Sequence, residues 1–256
     1  MGRNFGYQLL ACGDKGMPET ITYSQHQYKL EKVMKHDFFA ATGLYLSTGS
    51  SEEAIRPGPA KLVLKLGRKH HFLFLPLSWF GKFLRNHEVS ISGHLSDIVQ
   101  VPKVLCNYDK TGFLYEYIEG NSLDERPELP EDFFDNLKEL LQQVHEKDIV
   151  YLDMNKHGNI IHGKDGKPYL IDFQISLHLK GRLPGVRGIV SFIKKELIKA
   201  DIYHIYKHKR HFCPGLLKPE ETPLSYPTMP LIKMHRLIAN PFRKIRRAVL
   251  NHLRES

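Results

Sequence analysis

Tyr151-Leu152-Asp153-Met154-Asn155-Lys156-His157-Gly158-Asn159-Ile160-Ile161, followed after a Gly/Asp turn by Tyr169-Leu170-Ile171-Asp172-Phe173-Gln174, decides how this chain is read. An aspartate and an asparagine share one short loop, and a second aspartate closes the next apolar run. Phosphoryl transfer asks little covalent chemistry of a protein. It needs a carboxylate to orient a hydroxyl, and an amide plus a carboxylate to hold a divalent cation against phosphates. The pattern supplies Asp153 for the first task and Asn159 with Asp172 for the second.

The stretch resembles the catalytic segment of the protein-kinase-like superfamily, in particular its small atypical bacterial members, the RIO-like and lipopolysaccharide-core kinases. That resemblance implies Asp153 as the base and Asn159 and Asp172 as Mg²⁺ ligands. The sequence departs from the family pattern in three places. Asp153 and Asn159 stand six apart where five is usual, Tyr151 takes the place of a histidine, and Asp172-Phe173-Gln174 replaces Asp-Phe-Gly.

Upstream, Ala60-Lys61-Leu62-Val63-Leu64-Lys65-Leu66 is a β-rich run with a lysine in an apolar setting. By the resemblance, Lys65 holds the α/β-phosphates of ATP. Such a lysine needs a carboxylate partner, and Glu88 is the one acidic residue between Lys65 and Asp97. It lies within Phe83 to Ile91, which reads as a helix. Gly112 to Leu123 resembles the strand and hinge that bind adenine, which implies the Glu116 carbonyl and the Ile118 amide as its partners.

Pro130 to Lys147 reads as a helix, with Pro130 at its start and Glu131 and Asp132 in the first turn, complementing the dipole. Phe133, Phe134, Leu137, Leu140, Leu141 and Val144 recur at helical spacing. The first hairpin, about Lys29 to Leu46, has no G-x-G-x-x-G; Lys35 and Thr42 are the candidates for side chains near the phosphates. A glycine-rich turn would let backbone amides approach them more closely.

The chain's 256 residues fit one two-lobed unit with a sizeable core. Three dispersed cysteines argue against a disulfide scaffold or a zinc site and for a reducing, cytoplasmic compartment. H-E-x-x-H and Walker-type phosphate loops are both absent, which excludes those hydrolase and nucleotide-binding classes. Leu9 to Gly13 lacks the apolar run a lipoprotein signal needs. Phe72 to Phe80 is greasy but too short to span a bilayer, and core packing or a membrane-dipping contact are its two readings.

Charge divides the chain. His178 to Ser256 holds 17 Lys/Arg against 5 Asp/Glu, net +12, whereas the first 177 residues carry 20 against 23, net −3. Within the basic part, Ser191 to His208 reads as one helix. Asn240 to Leu253, beyond a Pro-rich linker, reads as a basic amphipathic second. That second helix can pack on the large lobe with its charges in water, lie on anionic lipid at the inner face of a membrane, or contact nucleic acid. Nucleic acid ranks last, because its basic residues are not interleaved with stacking aromatics.

The expectation is an α+β, bilobal protein-kinase-like fold. It comprises an extension at 1–27, a small lobe of five-stranded type at 28–118, a reduced helical large lobe at 119–212 and a tail at 213–256. The expected activity is ATP- and Mg²⁺-dependent phosphorylation of a hydroxyl, on a protein Ser/Thr or on a sugar of a lipid-linked glycan. A catalytically weak pseudokinase or membrane-recruited scaffold is the alternative.

Overall fold

Strand β4 (Lys61–Gly67) is apolar at nearly every position, and its interior is buried on both faces, so it forms the centre of a sheet. A computed structural model describes residues 11–13, 16–36, 39–50, 58–69, 78–180 and 187–227. The other strands of this sheet are β1 (Thr20–Tyr23), β2 (His26–His36), β3 (Ala40–Ser50), β5 (Val104–Asn107) and β6 (Gly112–Glu116). All pairs are antiparallel, in the order β1-β2-β3-β4-β6-β5. Helix α1 (Ser78–His94) follows β4 in the chain.

The chain divides into two compact units, the first built on this sheet and the second on helices. The fold is α+β: an antiparallel sheet with a helix after its central strand, then a unit of helices and short strands.

Two expectations about the first unit need correcting. The sheet has six strands, not five. The supposed extension also contributes to it: β1 lies wholly before residue 28, and Cys12, Met17 and Ile21 are buried in the sheet's core cluster. The Tyr45 hydroxyl donates to the Pro18 carbonyl at 2.6 Å, fastening the segment to β3. Short polar-apolar alternation over Thr20 to Tyr23 is too brief to stand out as a strand by itself.

The second unit centres on α2 (Phe133–Glu146). Its buried face is Phe133, Phe134, Leu137, Leu140, Leu141, Val144 and His145, the apolar stripe plus one histidine. Pro130, Glu131 and Asp132 precede the helix; the Phe133 amide donates to the Pro130 carbonyl in a turn, so the acidic pair is not in the first helical turn.

Short strands β7 (Gly120–Ser122), β9 (Ile160–Gly163) and β10 (Pro168–Leu170) form a small sheet, and β8 (Ile149–Val150) pairs with β11 (Leu177–His178). Gly120 has a φ of 157°, and a Cβ there would stand 2.1 Å from the His162 carbonyl oxygen, so β7 can meet β9 only with glycine at this position.

Helix α3 (Arg187–Phe212) is longer at both ends than its apolar spacing indicates. The Pro-rich segment after it is no loose linker as far as Pro227. Lys209 pairs with Glu221 at 2.9 Å, Arg210 donates to Ser225 at 3.0 Å, and the Arg210 guanidinium lies 4.0 Å from the centre of the Tyr226 ring. The expected 240–253 helix and most of the greasy 72–80 stretch lie outside the described residues.

Candidate active site

Lys65 sits in the middle of β4, 7% exposed, and its Nζ lies 2.7 Å from Glu88 Oε1. Glu88 is 5% exposed. The approach of α1 that makes this contact depends on Gly81. A Cβ at Gly81 would fall 2.3 Å from the Arg68 carbonyl oxygen, a backbone atom that cannot step aside. Glu88 follows Gly81 by seven residues, about two helical turns, and so lies on the same face of α1. Gly81→Ala is therefore expected to push α1 outward, loosen the Lys65–Glu88 pair and cost about 1–3 kcal/mol of stability. A denaturant midpoint unchanged from wild type would show that α1 has room to spare.

Register places the other candidates of the first unit. Thr42 pairs with Lys65 across β3 and β4, and Lys35 pairs with Thr42 across β2 and β3. Directly opposed residues share a sheet face, so Lys35, Thr42 and Lys65 form one row. Thr42 is buried within it, while Lys35 is exposed. Glu116 ends β6, and its Oε2 accepts a hydrogen bond from the Lys103 amide at 3.0 Å. Ile118 lies in the second unit, half-buried, in the irregular stretch before β7.

In the second unit, Asp153 follows β8 and is 7% exposed. Asn159 Nδ2 donates to Asp153 Oδ2 at 2.8 Å, and Lys156 Nζ lies 2.5 Å from the same oxygen. The additional loop residue does not separate the pair. A tight turn takes it up, with the Asn159 amide donating to the Lys156 carbonyl at 3.2 Å and a 3₁₀ turn over His157–Asn159.

Asp172 is half-buried and has a φ of 63°, a left-handed conformation uncommon outside glycine. The Ile171 amide before it donates to the Asn159 carbonyl at 3.1 Å, tying the two metal-ligand candidates together. The Asn159 side-chain nitrogen faces Asp153, which turns its Oδ1 away from that carboxylate. An amide oxygen and a carboxylate suit Mg²⁺, which binds hard oxygen donors and commonly takes only one or two carboxylates beside phosphate and water.

Three residues that the sequence reading missed hold this loop. Asp201 on α3 is 1% exposed. Its Oδ2 accepts from the Tyr151 amide at 2.9 Å and from His145 Nε2 at 3.0 Å, and its Oδ1 accepts from the Leu152 amide at 2.9 Å. Leu152 has a φ of 65°, so this carboxylate holds a bend that the backbone does not favour. A signal existed: Asp201 stands four residues after Leu197 and four before Ile205, an acidic residue in an apolar helical row. The third residue, Ser176, donates through Oγ to the Tyr151 carbonyl at 3.0 Å.

Tyr151, in the usual place of a histidine, is fully buried. Its hydroxyl donates to the Ile171 carbonyl, and its ring meets Phe173 edge-on at 5.0 Å. Burial pushes the phenol's pKa well up, and Asp172, Asp153 and Asp201 push it the same way, so it remains a neutral donor.

A histidine chain supports the loop from below. His208 Nε2 lies 2.7 Å from the Met154 carbonyl, to which it can only donate, so its Nδ1 accepts from His157 Nε2 at 3.1 Å. Burial brings the His208 pKa down to about 3. The unfolded chain takes up a proton at this histidine near pH 6.5 and the folded chain does not. Its contribution is therefore complete above pH 6.5 and lost as pH falls toward 3. At pH 5 the loss is about 2 kcal/mol, at roughly 1.4 kcal/mol per pH unit. His208→Gln is expected to flatten the stability–pH slope between pH 6.5 and 5, measured by urea titration against wild type. Parallel slopes would mean that His208 is protonated in the folded protein.

No protein-family model matches this sequence, and no curated protein matches it. Among solved structures, it is similar to the Rio2 kinase–ADP/Mg²⁺–phosphoaspartate complex from Chaetomium thermophilum, at 13% identity with a TM-score of 0.49. The match covers 76% of this chain and 59% of that one.

Proposed function

We propose that the protein is an ATP- and Mg²⁺-dependent phosphotransferase that moves the γ-phosphoryl group to a hydroxyl. The buried Lys65–Glu88 pair at 2.7 Å supports this reading most strongly. Taking two charges out of water is costly, and such a pair adds little to stability beyond what apolar residues of similar size would give. A use for the charge explains its presence.

In this mechanism Lys65, held by Glu88, binds the α/β-phosphates. Glu116 and Ile118 take the adenine edge through their backbone groups, with Thr42 and Lys35 along the phosphates. Asn159, through its side-chain Oδ1, and Asp172 would hold Mg²⁺, which would neutralise charge on the phosphates. Lys156 and Asn159 both engage Asp153 Oδ2, which leaves Oδ1 for the acceptor hydroxyl. Asp153 takes the hydroxyl proton as the acceptor oxygen bonds to the γ-phosphorus and the bond to the ADP oxygen breaks. The acceptor is a protein Ser/Thr or a sugar of a lipid-linked glycan, and transfer of labelled γ-phosphate to fractionated proteins and glycolipids separates the two.

Mg·ATP is expected to raise the melting temperature of the wild type, because a ligand that binds only the folded state stabilises it. Asp172→Ala is expected to lose most of that shift. Equal shifts in the two proteins would count against Asp172 as a metal ligand and favour a non-catalytic scaffold.

A further inference from the structure

Residues 188–200 of α3 include no buried residue. Ile189 and Phe192 are each 63% exposed and Ile193 is 44% exposed, at the i, i+3, i+4 spacing of one helix face. Leu177, 40% exposed, belongs to β11. Both elements are anchored on Asp148: Lys194 Nζ lies 2.5 Å from its carboxylate, and the Leu179 amide donates to its carbonyl at 2.8 Å. Further along the chain, α3 behaves differently, with Asp201, Tyr203, Ile205 and Tyr206 all buried. One helix thus has a structural half and a bare half.

The bare half is also basic. Lys195 on α3 and Lys180, just after β11, are exposed, while Glu196 and Asp148 are paired with Lys199 and Lys194. Exposed large apolar side chains flanked by lysines are what an anionic bilayer surface takes. The apolar atoms enter the headgroup boundary and the ammonium groups meet lipid phosphates. No helix among the described residues is long and apolar enough to cross a membrane, so contact of this kind lies in the plane of the surface.

We propose that the N-terminal half of α3, through Ile189, Phe192, Ile193 and Lys195, docks the protein on an anionic lipid surface. Phe192 lies nine residues before Asp201, about 14 Å along the helix at roughly 1.5 Å per residue. A docked α3 would therefore hold the loop that Asp201 fastens close to the bilayer. Insofar as the phosphotransferase reading holds, the acceptor hydroxyl is then one displayed at a membrane surface. Docking itself needs no catalysis and is tested without nucleotide.

The experiment is co-sedimentation of the full-length protein with vesicles of phosphatidylcholine alone, or of equal parts phosphatidylcholine and phosphatidylglycerol. Wild type is expected to bind the anionic vesicles and not the neutral ones, and to release as salt rises. Ile189→Ser with Phe192→Ser should lower partitioning about tenfold or more, since each apolar side chain withdrawn from water carries on the order of 1.5–3 kcal/mol. Lys195→Ala should lower it about fivefold, at about 1 kcal/mol per basic residue near the surface. Because these side chains are exposed, all variants should melt with wild type. The proposal is overturned by a serine double variant that binds as wild type, or by equal binding to neutral vesicles. Failure to bind vesicles, with self-association that the serine variant removes, also overturns it and makes the face a protein contact.

Discussion

Asp153→Asn is expected to reduce phosphoryl transfer by about two to four orders of magnitude, the usual contribution of a positioned general base, while Mg·ATP binding stays near wild type. The amide keeps the size of the carboxylate but cannot accept the acceptor's proton. Its loss of the Lys156 contact costs little, because that lysine side chain is 56% exposed and screened by water. Single-turnover transfer and the Mg·ATP melting shift, measured on one preparation, separate chemistry from binding. Full turnover on the physiological acceptor would remove Asp153 from the role of base.

Asp201→Ala is expected to lower folding stability by about 3–5 kcal/mol and to slow transfer without touching either substrate. The substitution leaves three buried donors without their acceptor: the Tyr151 amide, the Leu152 amide and His145 Nε2. Unpaired buried groups of this kind are among the costliest defects a single change produces. At roughly 2–4 °C per kcal/mol for a chain of this size, the melting temperature should drop by about 10 °C. Asp201→Asn should fall between, since an amide offers one acceptor oxygen where two are used. A variant that melts within a degree of wild type would show that the loop keeps its bend by other means.

How much of this was legible depended on whether a residue's role was written in its neighbours along the chain. The stripe of α2 and the apolar run of β4 are local patterns, and the structure buries the same residues the spacing picks out. Glu88 could be matched to Lys65 because no other acid lies nearby in sequence. Asp201 could not be found that way: its partners lie 49 to 56 residues away and two of them are backbone amides, which carry no sequence signature. His208 and His157 meet across 51 residues for the same reason. The Pro-rich segment was misjudged because prolines mark a break in a helix, not whether the chain beyond it packs. Contacts such as Lys209–Glu221 decide that, and they belong to the fold.

Gln174 is the departure whose meaning changes most once the surroundings are known. A glycine after Asp-Phe would offer the backbone a second set of dihedrals, and with them a way for the aspartate to swing out. Glutamine removes most of that freedom, and the neighbours remove more. Phe173 is 2% exposed against Tyr151, and the Ser176 amide donates to the Phe173 carbonyl at 3.2 Å. Asp172 is thus carried on a turn braced from both sides by Tyr151 and Ser176. Under the proposed phosphotransferase reading, control of such a site would fall on the delivery of an acceptor and not on movement of this turn.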